Sequence, residues 1–198
     1  MSMIESWFFV FAMIAVLLIP GPTNALLASS THQQGVLKTL PFIPMEWLGY
    51  VYSIGLWALF IHLFHPIWPA LTHILHVASV AYVLWLAFHL WKSSHLQKHD
   101  QHHPHIRTPQ LFVSALRNPK TLLLAAGIFP SETWDSVENT VLVFAVFSVV
   151  LIPVSVFWMV FGRALLAGSL VGIKADHLYK GSAMLLLMCM LPMIFRFF

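Results

Sequence analysis

Three charged side chains lie well inside long apolar stretches of the sequence. Glu46 is the only carboxylate well inside such a stretch, six residues past its start at Leu40, or about 9 Å along a helix that rises 1.5 Å per residue. An ionisable group at this depth normally faces a cavity or a partner. Glu46 is therefore predicted to accept a proton or to bind an ammonium group. The alternative is a carboxylate that reaches the cytoplasmic headgroups.

Lys120 and Arg117 lie at a similar depth in a later apolar stretch. Either could pair with Glu46 and hold it ionised. Lys120 directly follows a proline, where its ammonium could also meet the carboxylate of a ligand. For Arg117, we expect the long side chain to extend to the inner headgroups.

Proline interrupts two apolar stretches, one in each half of the chain. The first break is Pro20-Gly21-Pro22 and the second is Asn118-Pro119-Lys120. Proline removes a backbone donor and clashes with the preceding helical turn, which a membrane tolerates only where protein or water satisfies the freed carbonyls. Breaks at corresponding positions of two halves are typical of transport sites.

Two amide side chains, Asn24 and Asn118, flank these breaks. An amide both donates and accepts, which suits an unwound backbone or a zwitterionic ligand. A helix that restarts after Pro22 would also direct free backbone amides at a carboxylate. The alternative is that both asparagines, with Thr23, only cap the broken helices. Gly21 is predicted to permit the break or a close helix approach.

The elements that position these residues are membrane helices. Hydrophobic residues form 59% of the 198 residues and charged residues only 9%, against about 25% charged in a soluble domain. Six stretches approach the roughly 20 apolar residues of a span. They are Ile4–Ala28, Leu40–Phe64, Trp68–Trp91, Leu111–Phe129, Val141–Leu165 and Leu178–Phe198. The sequence predicts an all-α polytopic membrane protein whose single domain covers residues 1–198.

Basic residues are unequally distributed between the two sets of loops. One set contains Lys38, Lys92, Lys98, Arg107, Arg163, Lys174 and Lys180, and the other contains only Arg196. Because basic loops are cytoplasmic, both termini are predicted to face outward. Three helices per half then give an inverted 3+3 repeat, with helices one and four broken. Its parts are repeat one at 1–92, a loop at 92–108 and repeat two at 109–198.

The loop contains five histidines, His95, His99, His102, His103 and His105. Such a tract could bind transition metals, or it could be a solvated linker. His62, His65, His73 and His76 are predicted to be polar or interfacial residues, not a metal site. No phosphate loop, nucleophile motif or nucleic-acid patch is present in the sequence. We therefore expect no enzyme activity, no cofactor and no nucleic-acid partner.

The two breaks resemble the signatures of a known family. Pro20-Gly21-Pro22 with Asn24, and Asn118-Pro119-Lys120, resemble the Pro-Gly-Pro and Asn-Pro-Lys signatures of the LysE/RhtB amino-acid exporters. Some members carry an acidic residue where Glu46 stands. The resemblance implies a secondary exporter of amino acids or related metabolites in the bacterial inner membrane, coupled to inward proton movement. It leaves a homodimer open.

Two other functions remain compatible with the sequence. A divalent-metal efflux protein would collect ions on the histidine loop and pass them along His73, His76 and Glu46. A membrane scaffold without transport activity is the third. In the leading interpretation, the exporter, the substrate-binding and coupling residues are Pro20, Gly21, Pro22, Asn24, Glu46, Asn118, Pro119 and Lys120.

Overall fold

The computed structural model describes residues 3–64 and 108–167, together with single positions between 67 and 88 and residue 184. Within these residues the regular structure is helical and contains no strand. The third and sixth predicted spans and the histidine loop lie largely or wholly outside the described residues. The 3+3 arrangement and its division into repeats therefore stay predictions.

The first predicted span is two helices joined at the expected break. Helix α1 covers Met3–Leu18 and helix α2 covers Pro22–Gln34. Because proline fixes its own φ and needs no donor at the first helical position, Pro22 begins α2 directly. The two helices meet at 55°. The break was predicted, but α2 continues to Gln34, beyond the predicted end at Ala28.

Helix α2 ends where Gly35 adopts a φ of 87°, a conformation that other residues rarely adopt. A short helix α3 at Val36–Thr39 and the longer α4 at Phe42–Phe64 follow. Helix α4 begins close to the predicted start of the second span. The chain from Val36 to Phe64 is long and apolar enough to cross a membrane.

The fourth predicted span is also interrupted where the sequence indicated. Helix α5 covers Thr108–Leu116 and a new helix, α6, begins at Lys120 and ends at Leu123. A π-helical turn, Leu124–Ile128, follows at once, and the Phe129 amide bonds to the Leu124 carbonyl at 2.8 Å. π-helical turns inside helices often mark functional sites.

A 3₁₀ turn at Ser131–Trp134 leads into the longest helix, α7, at Val137–Leu166. This helix contains the whole predicted fifth span, and its section Val137–Ala164 is apolar enough to cross a membrane. Within the described part of the chain, two helical stretches meet that criterion. The bent pair α1 and α2 adds a third if it forms one broken span.

Small residues bring the helices into close contact. A β-carbon on Gly49 of α4 would lie 2.7 Å from both the Phe112 carbonyl and the Ala115 β-carbon of α5. A β-carbon on Gly162 of α7 would lie 2.4 Å from the β-carbon of Ala28 in α2. Small residues at helix contacts allow such approach in membrane proteins. These two contacts hold α4 against α5 and α2 against α7.

The core between the helices is apolar and aromatic. Phe129, just after the π-helical turn, forms edge-to-face pairs with Phe9 of α1 and with Phe144 and Phe147 of α7. Phe147 also packs against Tyr50 of α4. Both broken segments are therefore fixed against the same set of helices, and their breaks lie next to each other.

Candidate functional site

The first break exposes two backbone carbonyls that a continuous helix would have paired. Asn24 Nδ2 donates to Leu17 O at 3.0 Å and to Ile19 O at 2.7 Å. Lys120 Nζ, from the second break, donates to Ile19 O at 2.6 Å and lies 3.4 Å from Leu17 O. The lysine thus links the two breaks directly, across 101 positions of sequence.

These two carbonyls have no remaining capacity as acceptors. A carbonyl oxygen offers two lone pairs, and each of the two receives one hydrogen bond from Asn24 and one from Lys120. The lysine side chain is only 3% exposed. Its ammonium therefore donates its hydrogen bonds to main-chain oxygens at a buried position.

Gly21 provides the space for this ammonium. A β-carbon at Gly21 would lie 3.0 Å from both Cε and Nζ of Lys120. The Gly21 backbone is extended, with φ −145° and ψ 177°, so the position does not require glycine for its conformation. The absence of a side chain is what lets Lys120 reach the first break.

The start of α2 carries no side-chain cap. Pro22 has no amide hydrogen, and the Ala25 amide bonds to the Gly21 carbonyl at 2.9 Å. The amides of Thr23 and Asn24 are the two that the helix itself leaves unpaired. They form a positively polarised helix end beside the two carbonyls at the end of α1.

Asn118 organises the second break and connects it to the first. Its Oδ1 accepts from the Lys120 amide at 3.1 Å, a local turn that leads into the new helix, whose N-cap is Pro119. Its Nδ2 donates to the Tyr50 hydroxyl at 2.9 Å and lies 3.4 Å from Thr23 Oγ1. Thr23 Oγ1 and Tyr50 Oη are 3.3 Å apart. Asn118 therefore fixes the turn at its own break and contacts the other break.

A second set of hydroxyls secures the same break from the other side. Thr121 Oγ1 donates to the Asn118 carbonyl at 2.7 Å. Ser53 Oγ lies 2.8 Å from Thr121 Oγ1 and 3.0 Å from the Leu116 carbonyl. Ser53 of α4 thus joins the hydrogen bonds on both sides of the irregular segment.

Glu46 is buried among helices, with only 1% of its surface exposed. Its Oε2 lies 2.7 Å from Ser155 Oγ of α7, which is also 2.9 Å from the Leu151 carbonyl. Its Oε1 has no hydrogen-bond partner. The hydrogen bonds of Lys120 go to the carbonyls of α1 and not to Glu46.

The structure thus brings together most of the residues that the sequence singled out. We define the polar cluster as Thr23, Asn24, Glu46, Tyr50, Asn118 and Lys120. Gly21 borders this cluster. Pro22 and Pro119 are exposed and Pro20 is half-buried. These three prolines contribute by interrupting the backbone and not by side-chain contacts. Arg117 is exposed. Glu46 does not reach outward, contrary to the alternative of a headgroup contact.

Three residues of the site were not predicted from the sequence. Tyr50 and Ser53 follow Glu46 at helical spacings of four and seven residues, which places all three on one face of α4. A polar stripe on an apolar helix was the signal that could have revealed them. Ser155 is one of several small polar residues in α7, and its contact with Glu46 depends on how the helices pack.

A metal centre has no support among the described residues. They contain no group of three histidine, cysteine or acidic side chains that could hold an ion. His62 is exposed. His65, His73, His76, Cys189 and the five histidines of the loop lie outside the described residues.

Comparison with known proteins gives one match. The model of a protein family described as LysE type translocator matches residues 14–193 of the chain. This range includes both breaks and the whole polar cluster. No curated protein and no solved structure matches the chain significantly.

Proposed function

Since this chain belongs to the LysE type translocator family, we propose that it is a secondary-active exporter of amino acids or related small metabolites. Protons moving inward would supply the energy. The observation that carries the proposal is the hydrogen bond of 2.6 Å between Lys120 Nζ and Ile19 O. It joins two broken membrane segments at one buried polar cluster, the arrangement from which secondary transporters build binding sites.

The broken first span has opposite polarity on its two sides. The end of α1 presents carbonyl oxygens, and the start of α2 presents the amides of Thr23 and Asn24. A zwitterion needs both kinds of partner, because its carboxylate accepts hydrogen bonds and its ammonium donates them. This polarity supports an amino acid as the substrate, with its carboxylate at the α2 amides.

Glu46 is the proposed proton carrier. An ionised carboxylate buried with one unpaired oxygen would be costly. A neutral acid accounts for the hydrogen bonds better, because Glu46 Oε2–H can donate to Ser155 Oγ while the serine donates to the Leu151 carbonyl. The described conformation would then be the protonated, closed one, and the proton would leave when the cluster opens to the cytoplasm.

The same proposal covers location and assembly. We place the chain in the inner membrane of a bacterium, as a multi-pass protein with both termini outside. This placement is supported by the distribution of Lys and Arg between loops and by the apolar helices. A homodimer stays open.

The test is efflux from proteoliposomes loaded with a mixture of labelled amino acids. With the outside made acidic, we expect wild-type protein to release at least one amino acid faster than without the gradient. In Glu46→Gln the gradient should no longer accelerate release, because a neutral amide cannot carry the proton.

Glu138→Gln is the matched control, since it makes the same chemical change at an exposed position in the first turn of α7. It should retain the wild-type response to the gradient. Failure of wild-type protein to release any amino acid would contradict export. A Glu46→Gln variant that still responds to the gradient would contradict only the role of Glu46 as proton carrier, and not amino-acid export.

A further inference from the structure

We propose that the carbonyls of Leu17 and Ile19 form a binding site for a primary ammonium group. Lys120 fills this site while the transporter is empty, and the amino group of the substrate replaces it during transport. The inference deepens the proposed function and rests on it, because it assigns a place to one half of a zwitterionic substrate. In this proposal the Lys120 side chain binds in the site in place of the substrate amino group, and it does not bind the substrate carboxylate.

The first step of the argument concerns the carbonyls. All four of their lone pairs are used, two by Asn24 and two by Lys120. Asn24 lies on α2, seven and five positions from these carbonyls, and belongs to the same broken segment. Lys120 comes from the other half of the chain. A ligand that used the carbonyls would therefore displace the lysine, which a movement between the two breaks can withdraw.

The second step concerns the size and type of ligand. Gly21 leaves just enough room for a lysine terminus, because a β-carbon there would already lie 3.0 Å from Nζ. A quaternary ammonium has no N–H group to donate to the carbonyls. A guanidinium is planar and wider than an ammonium. The site is thus suited to a primary ammonium.

The third step concerns the neighbours of the site. The amides of Thr23 and Asn24 lie at the start of the next helix, with Gly21 between the two ends. The ammonium of an amino acid at the carbonyls would place its carboxylate on the side of these amides.

The experiment uses full-length Lys120→Ala purified in detergent, with n-propylammonium as the probe. This cation replaces the three methylene carbons and the nitrogen that the substitution removes. Tetramethylammonium at the same concentration is the control, because it carries the same charge without any N–H group. Lys120→Met, whose uncharged side chain still fills the space, is the second variant.

We expect propylammonium to raise the melting temperature of Lys120→Ala by about 3–6 °C at ten times its Kd. Tetramethylammonium should have no such effect. Wild-type protein and Lys120→Met should respond to neither cation, because their sites are filled. Equal responses of Lys120→Ala to both cations, or a response of wild-type protein equal to that of Lys120→Ala, would overturn the proposal.

If Lys120→Ala is recovered only as aggregate, the same comparison is made during extraction from the membrane. Recovery of folded protein with propylammonium, and not with tetramethylammonium, supports the site. Recovery with neither cation overturns it. The binding measurement needs no transport, so the outcomes are separable. Propylammonium binding without amino-acid efflux refutes the proposed function alone, and efflux without propylammonium binding refutes the ammonium site alone.

Discussion

Gly21 and Lys120 lie in direct contact, so a methyl group on Gly21 would have to push the lysine side chain aside. A β-carbon on Gly21 would stand 3.0 Å from Lys120 Nζ. The glycine belongs to the first break and leaves space for the lysine. The lysine belongs to the second break and donates to a carbonyl of the first. This contact gives a physical reason why a glycine stands between the two prolines.

Gly21→Ala should reduce both the stability of the protein and its efflux. The new methyl group would push back the flexible end of Lys120, which can yield by a few tenths of an ångström, but its hydrogen bond to Ile19 O would lengthen. A hydrogen bond to a charged group contributes about 1.5–3 kcal/mol to stability, so we expect part of that amount to be lost, and efflux to fall because the contact between the two breaks is weakened. Efflux assays and thermal melts measure the two effects.

A double-mutant cycle tests whether the effect of Gly21→Ala acts through the lysine. In a Lys120→Ala background the space is empty, so adding Gly21→Ala should change efflux no further. If the alanine at position 21 lowers efflux equally in both backgrounds, the contact with Lys120 is not its cause.

Tyr50→Phe should destabilise the protein, because it removes the hydroxyl to which Asn118 Nδ2 donates at 2.9 Å. The amide would lose its shorter hydrogen bond in a buried site, at a cost of about 1–2 kcal/mol. This corresponds to a melting temperature lower by about 2–8 °C. Tyr52→Phe, on the exposed side of the same helix, should change the melting temperature little. Equal shifts in the two variants would argue against the Asn118 contact.

The breaks could be predicted from the sequence because their causes are local. Pro22 and Pro119 lack a backbone donor whatever surrounds them, so the sequence indicates both interruptions. The extent of α2 could not be predicted in the same way. Its last turns contain Ser30 and Thr31, which are buried, and Thr31 Oγ1 bonds to the Leu27 carbonyl of its own helix. Hydropathy alone ends the span too early.

The contacts between the breaks depend on tertiary packing. The sequence placed Lys120 and Glu46 at similar depths and suggested an ion pair, but depth does not determine which oxygen the ammonium meets. The lysine reaches Ile19 O because Gly21 leaves space for its ammonium. This contact does not follow from residue types and their spacing in one sequence.

Gly49→Ala and Gly55→Ala should have opposite effects on stability. Both glycines lie in α4, where alanine is favoured by about 1 kcal/mol. A β-carbon at Gly55 meets nothing within 4 Å, whereas one at Gly49 would lie 2.7 Å from the Phe112 carbonyl. Overpacking of this kind costs about 1–3 kcal/mol. We expect the melting temperature to rise for Gly55→Ala and to fall for Gly49→Ala, and similar shifts would show that α4 and α5 are not in close contact.

Ser155→Ala should weaken the coupling of efflux to protons. The Ser155 hydroxyl lies 2.7 Å from Oε2 of Glu46, whose Oε1 has no hydrogen-bond partner. Without it, Glu46 loses this hydrogen bond, so acceleration of efflux by a pH gradient should fall toward that of Glu46→Gln. Ser155→Thr keeps the hydroxyl and should restore the response. Ser148→Ala is the control, because Ser148 lies in the same helix and makes the same bond to its own backbone, at 2.7 Å from Phe144 O, but its other partner is Trp47 Nε1, at 2.7 Å, and not Glu46. Loss of coupling in Ser148→Ala as well would assign the effect to α7 as a whole.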